Sequence, residues 1–172
     1  KCNKHNINFL QRSKRSVTID YPIVDALKFI KKIDSSYILL VNSCLPFLKS
    51  ETINNFLHYV IKNKYKPATA ITEKKNYYFD KNYRPINFSK KIKTLNTKTV
   101  TKVYEYANAL SLFNKNYFFK YGKYWNWEKV NLFTISNKIE LIDIDTEEDF
   151  IIAESVWRNI NEKEIFKIPN LS

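Results

Sequence analysis

Apolar residues along this chain recur with helical spacing in some segments and form short continuous runs in others. Helical spacing predicts helices over residues 22–32, 50–64, 114–121 and 150–157. Short apolar runs predict strands over residues 37–41, 68–72, 104–113, 130–135 and 139–144. Because strands alternate with helices, the pattern predicts an α/β fold with a mostly parallel sheet.

Four local features add detail to this outline. The run at 37–41 is continuous and rich in branched residues, which predicts a strand buried on both faces of the sheet. Residues 76–89 predict a projecting β-hairpin, and the polar residues 90–101 predict a mobile loop. Gly122 is predicted to end the helix at 114–121 in the left-handed conformation.

Composition limits the class of protein. With 172 residues and 44% hydrophobic content, the chain suits one globular domain. Its longest apolar runs are too short to cross a membrane, and no secretory signal is visible, so we expect a cytoplasmic protein. The chain has no methionine and begins with lysine, from which we expect a fragment that lacks its natural start.

The net charge of +12 suggests a nucleic-acid partner, but the distribution of charge argues against one. Only four of the 29 basic residues are arginine, and the lysines are scattered along the whole length. The single glycine excludes the phosphate-binding loops that need several glycines at fixed spacing. We therefore expect neither a nucleic-acid binder nor a nucleotide site built on a glycine-rich loop.

The segment IELIDIDTEED carries the most informative chemistry. Asp143 and Asp145 are two residues apart, so an extended backbone points both carboxylates to one side. Thr146 is a natural N-cap for the helix that follows. Two neighbouring carboxylates repel each other unless a cation or a proton relieves them, which indicates a divalent-cation site. A purely structural capping role for Asp145 is the alternative.

Four separated motifs then point to one family. They are IDIDTEEDF at 142–150 followed by Ala153 and Glu154, NSCLPF at 42–47 followed by SETI, YEYANA at 104–109, and FLQR at 9–12. Over about residues 7–158, the chain resembles the N-acylneuraminate cytidylyltransferases, also called CMP-sialic acid synthetases. Their acidic motif, their "NPTxPF" turn, their substrate-contacting asparagine and their "R-P" arginine correspond to these segments.

The resemblance implies an enzyme that joins CTP to a nine-carbon acidic sugar, releases pyrophosphate and requires Mg²⁺. It implies a Rossmann-like three-layer sandwich of the nucleotide-diphosphosugar transferase type, and a homodimer formed through the projecting hairpin. The expected catalytic and metal-binding residues are Asp143 and Asp145. The expected substrate-binding residues are Arg12, Thr18, Asn42, Ser43 and Asn108.

Two departures from the family pattern affect these expectations. The basic loop that cradles the triphosphate has no counterpart, so we expect a single domain over residues 1–172 that lacks its first strand and phosphate-binding loop. Such a chain is expected to bind CTP poorly by itself. Cys44 stands where threonine is usual. Asn42 has an alternative role, since it can cap its own turn.

Two other functions remain open from the sequence. One is a cytidylyltransferase of the same fold for another acidic sugar, such as legionaminic, pseudaminic or a shorter ulosonic acid. The other is a non-catalytic basic binding protein on this scaffold. The acidic cluster argues against the second, because a polyanion binder gains nothing from five carboxylates between residues 143 and 149.

Overall fold

The computed structural model describes residues 14–17 and 22–165. Within them, the strands are β1 (Tyr37–Val41), β2 (Ala68–Lys74), β3 (Val103–Asn114) and β4 (Asn131–Thr134). The α-helices are α1 (Ile23–Ala26), α2 (Ser50–Lys62), α3 (Lys115–Tyr121) and α4 (Glu147–Ile165). Short 3-10 helices span Lys14–Val17, Lys28–Lys32 and Lys138–Leu141.

The four strands form one sheet in the order β1-β3-β2-β4. β3 pairs antiparallel with both β1 and β2, and β2 pairs parallel with β4. The prediction of a mostly parallel sheet is therefore wrong. Strands β1, β2 and β4 do share one direction, but the reversed strand β3 lies between two of them. Residues 75–102 lead from β2 to β3 without the helix that a parallel crossover uses, so β3 returns antiparallel.

Two clusters of buried side chains lie on opposite faces of this sheet. One cluster contains Phe56 and Val60 of α2 together with Leu112 of β3. The other contains Phe113 of β3 and Phe118 of α3. Because Leu112 and Phe113 are successive residues of one strand, their side chains point to opposite faces. Helices α2 and α3 thus lie on opposite faces of the sheet in this mixed α/β fold.

The helices α2 and α3 follow the predicted segments closely. Asn114 caps α3, since its side-chain oxygen accepts a hydrogen bond from the Tyr117 N–H at 2.9 Å. Gly122 ends α3 with a φ of +68°, the left-handed conformation predicted for it. The predicted helix at 22–32 is instead one turn of α-helix followed by a 3-10 turn. The Leu27 N–H donates four residues back to the Ile23 carbonyl, whereas the Ile30 N–H donates three residues back to the Leu27 carbonyl, so the helix tightens at Leu27.

The position of β1 also differs from the prediction. Within the described part of the chain β1 pairs only with β3 and forms an edge of the sheet. Its terminal residues Tyr37 and Val41 are exposed, so β1 is not buried on both faces. A continuous apolar run therefore does not identify a central strand in this fold.

The predicted hairpin at 76–89 is a loop with a single antiparallel bridge between Phe79 and Pro85. Two backbone hydrogen bonds cross it, from the Asp80 N–H to the Arg84 carbonyl at 2.8 Å and from the Ile86 N–H to the Tyr78 carbonyl at 2.9 Å. Pro85 has no N–H with which to extend this ladder. Buried Asn87 accepts a hydrogen bond from the Tyr78 N–H at 3.0 Å and donates to two carbonyls. Asp80 accepts hydrogen bonds from two backbone N–H groups across the turn. Residues 90–101 contain no helix or strand, as predicted.

The acidic segment is not a strand. Residues Lys138–Leu141 form a 3-10 turn, and the chain then continues extended without a strand partner. The Asn137 side chain starts the turn by accepting a hydrogen bond from the Ile139 N–H at 3.1 Å. Buried Glu140 accepts one from the Lys49 N–H at 3.1 Å, just before α2. These polar contacts outweigh the apolar alternation that predicted a strand.

In the described part of the chain, no helix combines the length and apolarity needed to cross a membrane.

Candidate active site

The site lies where β1 ends and the acidic segment passes beside it. Asn42 follows the last residue of β1, and its N–H extends the sheet by donating to the Ala109 carbonyl at 2.9 Å. The Asn42 side-chain oxygen accepts a hydrogen bond from the Cys44 N–H at 2.9 Å. Its amide nitrogen Nδ2 donates to Asp143 Oδ2 at 3.2 Å. Asn42 therefore holds its own turn, as the alternative role anticipated, and also orients Asp143.

The two aspartates lie together, as their spacing predicted. One ligand atom from each of Cys44, Asp143 and Asp145 falls within 4.8 Å of the other two. Asp145 and Cys44 are exposed, whereas Asp143 is half-buried. The Ile144 N–H between the aspartates donates to the Cys44 carbonyl at 3.0 Å, which fastens the acidic segment to the turn after β1.

One carboxylate oxygen in this group lacks a partner. Asp143 Oδ1 is buried and accepts no hydrogen bond from the described residues. A buried carboxylate oxygen without a donor is costly, so a bound cation is the natural partner for it. The donor set fits Mg²⁺, which binds one or two carboxylates and completes its coordination with water and phosphate oxygens. The Cys44 thiol is a soft ligand and does not suit Mg²⁺.

A capping box fixes the backbone that follows Asp145. The Thr146 hydroxyl accepts a hydrogen bond from the Asp149 N–H at 3.2 Å, so Thr146 is the N-cap that was predicted. Asp149 Oδ2 in turn accepts hydrogen bonds from the Thr146 hydroxyl and from the N–H groups of Thr146 and Asp145. These hydrogen bonds lower the pKa of Asp149, and the bond from the Thr146 hydroxyl has the largest effect. Asp149 is therefore fully ionised at neutral pH, and it holds the Asp145 backbone in place.

Asn108 lies in a bulge of β3 opposite the end of β1. Thr69 pairs with Ser111 and Ile71 with Tyr106, so a single residue of β2 faces residues 107–110 of β3. Asn108 has a φ of 45° in the left-handed region, which asparagine tolerates better than most residues. Its side-chain oxygen accepts a hydrogen bond from the Tyr106 hydroxyl at 3.3 Å.

Two cavities meet at this bulge. The β1 cavity has a volume of about 260 Å³ and is lined by Leu40, Val41, Asn42, Tyr106, Asn108, Ala109, Leu110, Ser111 and Tyr124. The β2 cavity has a volume of about 350 Å³ and is lined by Thr72, Lys74, Glu105, Tyr106, Ala107, Asn108, Lys138, Leu141 and Asp143. Because Tyr106 and Asn108 line both, two ligand groups in these cavities would lie next to each other.

Aromatic side chains border the β1 cavity. The Tyr106 ring meets the exposed Trp127 ring edge-on, with centroids 6.2 Å apart. Trp127 also contacts the buried Trp125 ring at 5.4 Å. Burial, and to a smaller extent nearby Tyr106, raises the pKa of Tyr124, so its hydroxyl stays protonated and can donate a hydrogen bond.

Four of the predicted site residues therefore lie close together. Asn42 contacts Asp143, and Asn108 lines one cavity with Asn42 and the other with Asp143. Ser43 is exposed in the turn after Asn42 and does not line either cavity. Its role as a substrate-binding residue stays a prediction. Arg12 and Thr18 lie outside the described residues, and so does the FLQR motif.

Several residues of the site were not anticipated from the sequence. Tyr106 lies two positions before Asn108, and strand periodicity would have placed both on one face. Lys74 and Glu105 line the β2 cavity as a salt bridge of 2.8 Å between neighbouring strands, which only the strand register reveals. Lys138 lines the same cavity from the 3-10 turn Lys138–Leu141, which overlaps the strand predicted over residues 139–144.

These features define a mixed α/β domain with one four-stranded sheet and a carboxylate-bearing cleft at the end of its edge strand. The chain is similar to a solved structure of 4-diphosphocytidyl-2C-methyl-D-erythritol synthase from Anaerococcus prevotii DSM 20548, with a TM-score of 0.59 and 19% identity. The similarity covers 88% of this chain and 70% of the synthase. At this identity the likeness shows the fold alone. No protein-family profile and no curated protein sequence matches the chain.

Proposed function

We propose that this chain is a cytidylyltransferase that transfers the CMP group of CTP to a hydroxyl of an N-acylneuraminate-type acidic sugar. The observation that carries the proposal is the unsatisfied, buried Oδ1 of Asp143, a residue that lies beside Asp145 and lines the β2 cavity. The fold likeness to a synthase whose product carries a diphosphocytidyl group supports the cytidylyl part of this proposal. The four sequence motifs support the acidic sugar.

In the proposed reaction, the sugar hydroxyl oxygen forms a bond to the α-phosphorus of CTP. The bond from that phosphorus to the bridging oxygen of the β-phosphate breaks, pyrophosphate leaves, and the hydroxyl proton passes to water. The reactants are polyanionic, so positioning and neutralisation of charge account for most of the acceleration. Mg²⁺ held by Asp143 and Asp145 would neutralise phosphate charge and lower the pKa of the attacking hydroxyl.

The surrounding residues take roles that fit their contacts. Asn42 holds the Asp143 carboxylate in one orientation through its amide. Asn108 is exposed and can offer its amide nitrogen Nδ2 to a ligand, while its oxygen accepts from Tyr106. We assign Arg12, Thr18 and Ser43 to substrate binding on the motif resemblance alone.

A second candidate acceptor is a phosphorylated polyol of the methylerythritol type. The fold likeness to a 4-diphosphocytidyl-2C-methyl-D-erythritol synthase favours it. A diphosphocytidyl product arises when CMP is transferred to a phosphate oxygen of the acceptor, whereas transfer to a sugar hydroxyl gives a CMP-sugar. Legionaminic, pseudaminic and shorter ulosonic acids are further acceptors of the acidic-sugar class.

The test is a pyrophosphate-release assay on the full natural polypeptide with CTP and Mg²⁺. N-acetylneuraminate, other nonulosonic acids and erythritol 4-phosphate are supplied as separate acceptors. We expect turnover with an acidic sugar, and mass spectrometry should find the CMP-sugar. Turnover with erythritol 4-phosphate alone would support the second candidate. Absence of pyrophosphate release with every acceptor would contradict both.

Two variants connect this activity to the site. Asp145→Asn should lower turnover by roughly 100-fold or more, because it removes a carboxylate from the cation. Glu148→Gln is the matched control, since it removes one negative charge from the first turn of α4 outside the three-residue group. Circular dichroism checks that both variants fold. Normal activity of Asp145→Asn would refute the metal assignment.

A further inference from the structure

The β2 cavity contains one lysine whose charge is not neutralised by a neighbour. Of its charged lining residues, Lys74 forms a salt bridge of 2.8 Å with Glu105. Asp143 belongs to the carboxylate group that fits a cation. Within the described part of the chain, Lys138 Nζ has no carboxylate within salt-bridge distance. The cavity therefore has a local excess of positive charge at Lys138 once the aspartates hold a cation.

The backbone at Lys138 is held firmly although its side chain is exposed. Asn137 accepts a hydrogen bond from the Ile139 N–H, and the Ile142 N–H donates to the Ile139 carbonyl at 3.2 Å. Glu140, only 4% exposed, ties the same turn to the Lys49 N–H ahead of α2. Lys138 thus projects from a fixed turn, five residues before Asp143, into the cavity that both residues line.

We propose that Lys138 binds the anionic group of the acceptor, and that the acceptor occupies the β2 cavity. The inference rests on the proposed function, because it names where that function's acceptor lies. A cavity of about 350 Å³ is within the size range of small-molecule sites. The single ammonium of Lys138 suits an anion of low charge, such as a carboxylate or a phosphate monoester. A triphosphate carries more negative charge and needs several positive groups to neutralise it. The acceptor's reacting group then points toward Asp143 and the CTP toward the β1 cavity.

Direct binding measurements test this assignment independently of turnover. Isothermal titration calorimetry with Mg²⁺ present compares three probes: N-acetylneuraminate, its uncharged methyl ester, and erythritol 4-phosphate. The wild-type protein should bind at least one of the anionic probes more tightly than the ester. Lys138→Gln should weaken binding of that anion roughly fivefold to tenfold, the size of a lost charge-assisted hydrogen bond at an exposed position. Binding of the ester should not change.

Two further variants complete the comparison. Lys138→Arg keeps the charge and should retain most of the affinity. Lys62→Gln removes one exposed lysine from the last turn of α2, outside the cavity, and should bind like the wild type. The anion that depends on Lys138 distinguishes a carboxylate acceptor from a phosphate acceptor.

The outcomes separate this inference from the proposed function. If Lys138→Gln binds both anions as the wild type does, or the wild type binds neither, the assignment of Lys138 is wrong. If anion binding depends on Lys138 but no acceptor gives pyrophosphate release, the anion site stands and the proposed transferase activity fails. If both assays respond, KM for the anionic acceptor should rise in Lys138→Gln while KM for CTP stays the same.

Discussion

Asn42 and Asp143 are 101 positions apart in the sequence, yet one hydrogen bond joins their side chains. That bond leaves Oδ1 as the free oxygen of Asp143, buried beside Asp145 and Cys44. A carboxylate kept in this state costs stability unless a cation binds it. We therefore interpret the pair as an arrangement selected for binding, at some cost to the stability of the free protein.

Asn108 provides a test of strain at the residue scale. Its φ of 45° costs an ordinary L-residue roughly 1 kcal/mol or more, while glycine adopts it freely. We expect Asn108→Gly to have a higher free energy of unfolding than Asn108→Ala, by about 1 kcal/mol. Both variants should lose acceptor affinity, since both lack the amide. Urea unfolding and acceptor titration measure the two effects.

The comparison of these two variants separates backbone strain from side-chain contacts. Each removes the hydrogen bond with Tyr106, so that loss is common to both. Equal stability, or a more stable alanine variant, would show that the left-handed conformation at residue 108 is not maintained in solution.

At the scale of elements, the start of α4 connects helix stability to the site. The Thr146 hydroxyl caps the helix and contacts Asp149, whose carboxylate also accepts from the Asp145 N–H. Thr146→Ala should therefore lower the free energy of unfolding by about 1 kcal/mol. It should also weaken cation binding, because the Asp145 backbone loses support.

Thr146→Ser is the matched control for the cap, since it keeps the hydroxyl and removes only a methyl group. Its stability and cation affinity should stay close to those of the wild type. Chemical denaturation and a cation titration measure both properties. If Thr146→Ala destabilises the protein while cation binding is unchanged, the cap is structural only and does not position Asp145.

Local signals in the sequence predicted some elements well. Helix α2 was predictable from its apolar spacing, and α3 from its apolar spacing together with Gly122 at its end. The segment at 138–141 was not, because the hydrogen bonds of Asn137 and Glu140 override its alternating pattern. The hairpin predicted at 76–89 is reduced to one bridge, because Pro85 has no N–H to extend the ladder and the Asn87 side chain forms the neighbouring hydrogen bonds.

At the scale of the whole molecule, the order and direction of the strands were beyond local prediction. Placement of β3 between β1 and β2 depends on pairing between distant segments. The spacing of Asp143 and Asp145 still predicted their proximity, since an extended backbone alone puts them on one side. Lys138 and Tyr106 join the site only through the folded turn and the bulge of β3. The homodimer stays a prediction.

The central claim is that Asp143 and Asp145 bind a divalent cation, and a titration with Mn²⁺ tests it most directly. Mn²⁺ shares the preference of Mg²⁺ for oxygen ligands, and electron paramagnetic resonance measures the free ion. We expect the wild type and Glu148→Gln to bind Mn²⁺ with the same affinity, and Asp143→Asn and Asp145→Asn to bind it at least about tenfold more weakly. Equal binding by all four proteins would contradict the account.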